Sequence, residues 1–165
     1  MAIPSRYPDR VVSIILYVFI AAMTLSAGEK ILNNYVDSRF YNEFLLRWEV
    51  SLRSYESAGG GWPEFNGTNH VEYMDNLTAL MEEGEFPPPR LKWDRPYVYR
   101  INKMGESPDD IFILVFFRRI IIYGMREKTF NRMDVFIDGV VDKEDGRLTG
   151  SLGSDGETYI ADWRL

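Results

Sequence analysis

The chain has 165 residues and a formal net charge of −6, with 45% hydrophobic and 15% aromatic residues, no cysteine and one histidine. It is long enough for one ordinary domain plus an anchor and too short for two comfortable domains. The missing cysteines exclude disulfide scaffolds, thiolate metal sites and cysteine nucleophiles, and the lone His70 argues against histidine-based zinc or general-base chemistry. A net negative chain needs a concentrated basic patch to hold nucleic acid. Arg90 to Lys92 and Arg118-Arg119 are too short for that, so no nucleic-acid partner is expected.

An unbroken apolar run extends from Val11 to Ala27 and continues through Gly28 into a long amphipathic tract ending near Glu56. In the tract Leu32, Val36, Phe40, Phe44, Trp48 and Leu52 recur every four residues, with Tyr41, Leu45 and Tyr55 beside them. Spacings of three and four place such side chains on one helical face. Asp37, Arg39, Glu43, Arg47 and Arg53 mostly fall off that stripe. One helix of roughly 65–70 Å is expected, apolar all round in its first half and one-sided in its second.

Arg6 and Arg10 precede the run and only Lys30 follows closely. The positive-inside rule then gives a cytoplasmic segment over 1–10, a transmembrane half-helix over 11–28 and a domain outside the cytoplasm over 29–165. The expected location is the inner (cytoplasmic) membrane, crossed once. The alternative is a cleaved signal peptide, for which Leu25-Ser26-Ala27 is a poor site because leucine occupies position −3.

The helix should stop at Ser57 to Gly61, where three successive glycines stand. A loop through Trp62 and Phe65 leads to a short helix over His70–Glu83, capped by Thr68 or Asn69 and ended by Gly84. His70 reads as a partly solvated residue beside the cap. Phe86 to Pro89 must be extended, because each proline fixes its own φ and restricts its predecessor. From Trp93 the pattern turns to β: Tyr97–Ile101 alternates, and Ile111–Tyr123 is one long strand or two. Met133–Ile137 reads as another strand. Asp145-Gly146 and Asp155-Gly156 mark turns, with closing strands over Arg147–Leu152 and Glu157–Trp163. The fold class is α+β, with the long helix packed on a small antiparallel sheet.

That plan resembles the type IV pilins and type II secretion pseudopilins. The closer similarity, to the major pseudopilin, lies in Tyr73 to Leu80, then Gly84 to Pro87, then Pro89 to Tyr99 with its Trp93, Pro96 and Tyr97. Asp134-Val-Phe136, Ser151 to Gly156 and Ala161-Asp162-Trp163 are similar to its closing strands. The resemblance implies a structural subunit or accessory of a secretion or pilus apparatus. Its partners would be other pilin-like subunits, membrane assembly proteins and the lipid bilayer, in a homo-oligomer or a mixed assembly. It also implies calcium in the closing loop, carried by Asp155 and Asp162. The chain departs from the family in two respects: no prepilin peptidase site precedes the run, and no glutamate stands at its fifth position. An uncleaved anchor with the family fold is therefore expected.

The carboxylates Asp134, Asp138, Asp142, Glu144, Asp145, Asp155, Glu157 and Asp162 suit hard cations in type, but Asp142 to Gly146 lacks EF-hand spacing, and solvated turn acids capping hairpins are the favoured reading. There is no usable Ser-His-Asp order and no glycine-rich loop opening a helix. No enzyme is expected. A secreted or tethered binding domain without a filament role is the alternative function.

Overall fold

The structure, a computed structural model, describes residues 7–90 and 95–165. The expectations placed on residues 91–94, Trp93 among them, and on the first six residues lie outside it. A continuous helical rod opens the chain: α1 (Tyr7–Arg39), a π-helical turn (Phe40–Leu45) and α2 (Leu46–Ser57). The π turn sits where the four-residue apolar repeat demands it. An α-helix turns once in 3.6 residues, so every four-residue step overshoots by about 40°. A wider i→i+5 turn absorbs the excess, and Phe40, Phe44, Trp48 and Leu52 all become fully buried.

Leu32 departs from the expected stripe. Two four-residue steps separate it from Phe40, and without a π turn they carry it off the packed face, where it is 52% exposed. Asp37 departs in the opposite sense, since it is buried.

The rod ends where the glycines begin. Ala58 donates its N–H to Ser54 at 3.1 Å, and Gly59 adopts φ 76. Next, α3 (His70–Glu83) occupies the expected range. Asn66 organises its approach, its Oδ1 accepting the Thr68 and Asn69 amides at 3.0 Å. Pro88 and Pro89 are buried in the extended connector, and Ser51 Oγ donates to the Pro87 carbonyl at 3.0 Å.

Five antiparallel strands follow: β1 (Val98–Ile101), β2 (Asp109–Phe116), β3 (Arg119–Arg126), β4 (Leu148–Leu152) and β5 (Thr158–Arg164), in spatial order β1-β2-β3-β5-β4. The apolar stretch over 111–123 is thus two strands, joined by Phe117-Arg118 with Arg118 at φ 55. Alternation buries Ile111, Ile113 and Val115 of β2, Ile120 and Ile122 of β3, and Ala161 and Trp163 of β5. This face receives the rod. Tyr99, opposite Ile111, meets Phe40 and Phe44 with ring centroids at 5.0 and 5.1 Å, and Trp48 Nε1 donates to the Pro96 carbonyl at 3.1 Å. The other face is partly roofed by Phe65 and Tyr73, which lie 5.1 and 5.5 Å from the Phe116 ring.

Met133–Ile137 is not a strand. It belongs to α4 (Glu127–Asp138), which packs beside the rod on the inner face through Phe130, stacked 5.2 Å from Tyr159. Five residues of alternation are too few to outweigh the helical spacing of Phe130, Met133 and Ile137, and Gly139 closes the helix at φ 82.

Candidate functional site

Among the described residues, the large apolar side chains of the first half of α1 are left open. From Val11 through Leu25 its large apolar side chains are more than half exposed. A span beginning at Arg10 is long and apolar enough to cross a membrane, and its most apolar stretch is unburied. A surface of that size costs heavily in water at about 25 cal/mol per Å².

Where this half meets the domain, a cleft of about 630 Å³ opens between α1, the loop after β1 and α4. Its helix wall is Ser26, Lys30, Asn33 and Asp37; its far wall includes Lys103, Glu106, Lys128 and Arg132. Asn33 holds the loop by two bonds, Nδ2 donating to the Met104 carbonyl at 3.2 Å and Oδ1 accepting the Met104 amide at 2.8 Å. Asn34 accepts a bond from the Arg132 guanidinium across to α4. Beneath them Lys103 Nζ lies 2.7 Å from Asp37 and donates to Thr129 Oγ1 at 2.9 Å, with both charged side chains under 10% exposed (4% and 7%). Burial pushes the Asp37 carboxyl above its ordinary value, against the opposing pull of Lys103. Asp109 is likewise raised by burial, despite Arg126 Nε at 2.9 Å. At the far end of the rod, Glu56 Oε1 accepts the Arg118 amide at 2.7 Å. The domain is therefore pinned to the rod from Asn33 to Glu56.

Charges of both signs line the cleft: Lys30, Lys103, Lys128 and Arg132 face Glu29, Asp37 and Glu106, and Lys128 pairs with Glu106 at 3.1 Å. Sequence reasoning did not foresee this cluster, because its two walls, residues 26–37 and residues from 103 onward, lie more than sixty residues apart. Asp37 carried no local signal, since it stands among Asn33, Asn34, Ser38 and Arg39 and reads as one more polar residue off the stripe.

The two residues assigned to calcium are not brought together. Asp155 sits in the β4–β5 turn, where Oδ1 accepts the Glu157 and Thr158 amides at 3.0 Å and Oδ2 accepts the Thr158 hydroxyl at 2.5 Å. These bonds hold its carboxyl down to about 2. Asp162 lies four strand residues beyond Thr158, about 13 Å along β5. Both of its oxygens are engaged by Arg119 Nε and Nη2 at 2.6 Å. Among the described residues no three acidic or histidine side chains gather as a metal site. The residues present thus do not fit the cation implied by the resemblance.

His70 lies edge-on to Phe65 at 5.3 Å, its Nδ1 3.3 Å from the Thr68 carbonyl. The basic pair Arg118-Arg119 is divided between the Phe117 ring and Asp162. The arrangement offers surfaces for association: a bare apolar half-helix and a pinned domain behind it. Comparison with protein-family models, with curated protein sequences and with solved structures gives no match to this chain.

Proposed function

We propose that the chain is a single-pass membrane protein that works by association, as a structural subunit or accessory of a secretion- or pilus-type apparatus. One observation carries the reading: a single unbroken helix is bare and apolar over Val11–Ala27 and forms the domain core from Phe40 to Tyr55. The bare half packs with neighbouring helices in lipid, and the domain presents its surface outside the cytoplasm. The resemblance to pseudopilins supports the assembly role, and the charges at Arg6 and Arg10 support the orientation.

Val18→Arg tests the anchor. A central arginine costs about 2.5–3.5 kcal/mol on insertion scales, so the variant should leave the membrane fraction; full retention there would sink the reading. Terminal peptide mass analysis of membrane and sheared-surface fractions tests the role. A chain confined to membranes supports an accessory, a chain trimmed just ahead of Val11 and recovered by shearing supports a filament subunit, and a soluble chain starting near Gly28 supports a secreted binding domain instead.

A further inference from the structure

The apolar run over Val11–Ala27 is 17 residues, about 26 Å at 1.5 Å per residue. A hydrocarbon core of about 30 Å is thicker than that. The deficit is made up on one face of the helix only. Toward the domain, Ser26, Lys30, Asn33 and Asp37 follow at steps of three and four and line the polar cleft. Away from it, Leu25, Gly28, Leu32 and Tyr35 follow at the same steps. There Leu32 and Tyr35 are 52% and 60% exposed and Ile31 68%, and among the described residues nothing beyond its own helix lies within 4 Å of where a Cβ on Gly28 would stand. The amphipathicity just outside the run is inverted: polar side chains face protein and apolar ones face outward. Water beside this segment would leave those side chains unburied. From Val11 to Leu32 the helix measures about 33 Å, which a tilt of about 20° fits to the hydrocarbon thickness. Tyrosine is the residue type enriched where acyl chains meet headgroups.

We propose that lipid covers the outward face of α1 as far as Leu32, with Tyr35 seated among the headgroups, while the domain-side cleft stays hydrated down to Ser26. The membrane boundary thus runs obliquely across the helix, and the bilayer is the partner of the Ile31–Leu32–Tyr35 face. This inference rests on the membrane-anchor reading.

The absence of native cysteine permits single spin labels at Val18→Cys, Lys30→Cys and Leu32→Cys, in the full chain reconstituted into phosphatidylcholine vesicles. Accessibility to oxygen, which concentrates in lipid, is compared with accessibility to a water-soluble nickel chelate. The expected result is a lipid pattern at Val18 and Leu32 and an aqueous pattern at Lys30, with an oxygen-to-nickel ratio several-fold higher at Leu32 than at Lys30. An aqueous pattern at Leu32 beside a lipid pattern at Val18 overturns the inference and leaves the anchor intact. Shielding of Leu32 from both reagents overturns it in favour of a second copy packed on that face. An aqueous pattern at Val18 overturns the anchor reading and the inference together.

Discussion

At the scale of single residues the Asp37–Lys103–Thr129 cluster decides most. A buried ion pair is weak evidence of stability, but removing one partner strands the other. Lys103→Met should cost about 3–5 kcal/mol, and Asp37→Leu added to it should recover most of that loss; urea denaturation of both variants measures this. Asp134 gives a pH signature. It is fully buried, with Oδ2 accepting the Asp142 amide at 2.7 Å, and burial, with Asp138 and Asp142 nearby, raises its carboxyl. Between the ordinary value of 3.8 and the raised one the folded chain holds a proton that the unfolded chain has released. Stability from this group therefore falls as pH rises through that window. Asp134→Asn keeps the acceptor and removes the titration, so its stability relative to the native chain should rise with pH from 3.8 upward and then level off. Asp155 behaves oppositely. Its stabilisation is complete above 3.8 and is lost as pH falls toward about 2, so Asp155→Asn should flatten the acid limb of the unfolding midpoint.

At the scale of elements, backbone geometry explains both what the sequence discloses and what it hides. Gly124 stands at φ 85 where the β3–β5 register shifts between Ile122 and Met125, and an added Cβ would lie 2.6 Å from the Asp110 carbonyl oxygen. Gly139 also has positive φ, but nothing lies within 4 Å of its Cβ direction. Gly139→Ala should therefore cost only the left-handed conformation, about 1 kcal/mol. Gly124→Ala should cost clearly more, because a backbone carbonyl must also move. Paired thermal melts would show it, and equal costs would refute the distinction. The helix over His70–Glu83 and the C-terminal end of the rod were legible because turn residues and glycines punctuate them locally, whereas the start of the rod, at Tyr7 and not Val11, carries no such mark. The identity of α4 was not, because its side chains satisfy both periods and Phe130 finds Tyr159 only through the sheet. The π turn was latent in the strict four-residue repeat. The cleft was illegible, since nothing local links Asp37 to Lys103 or Asn34 to Arg132.

At the scale of the whole molecule, every described residue of the hydrophobic core lies at Val36 or beyond. A chain started at Gly28 should therefore be soluble and keep the urea midpoint of the full chain. A lowered midpoint would mean that the bare half-helix supports the fold after all. Assembly through free sheet edges is restricted: Met74 Sδ sits 3.4 Å from the Val115 amide, and beside β4 the Gly150 amide donates to the Lys143 carbonyl at 2.9 Å.

The unbroken rod has a mechanical consequence. No glycine pair, proline or loop interrupts it from Val11 to Ser57, and its π turn is clamped by the buried Phe40, Phe44 and Leu45, so it moves as one piece. From Ala27 to Ser57 it is a lever arm of about 45 Å. A roughly 10° change of inclination at its apolar half would sweep its far end, with the Phe117-Arg118 hairpin bound there, through about 8 Å. Motion imposed on the bare apolar end is thus delivered, magnified, to the opposite end of the domain.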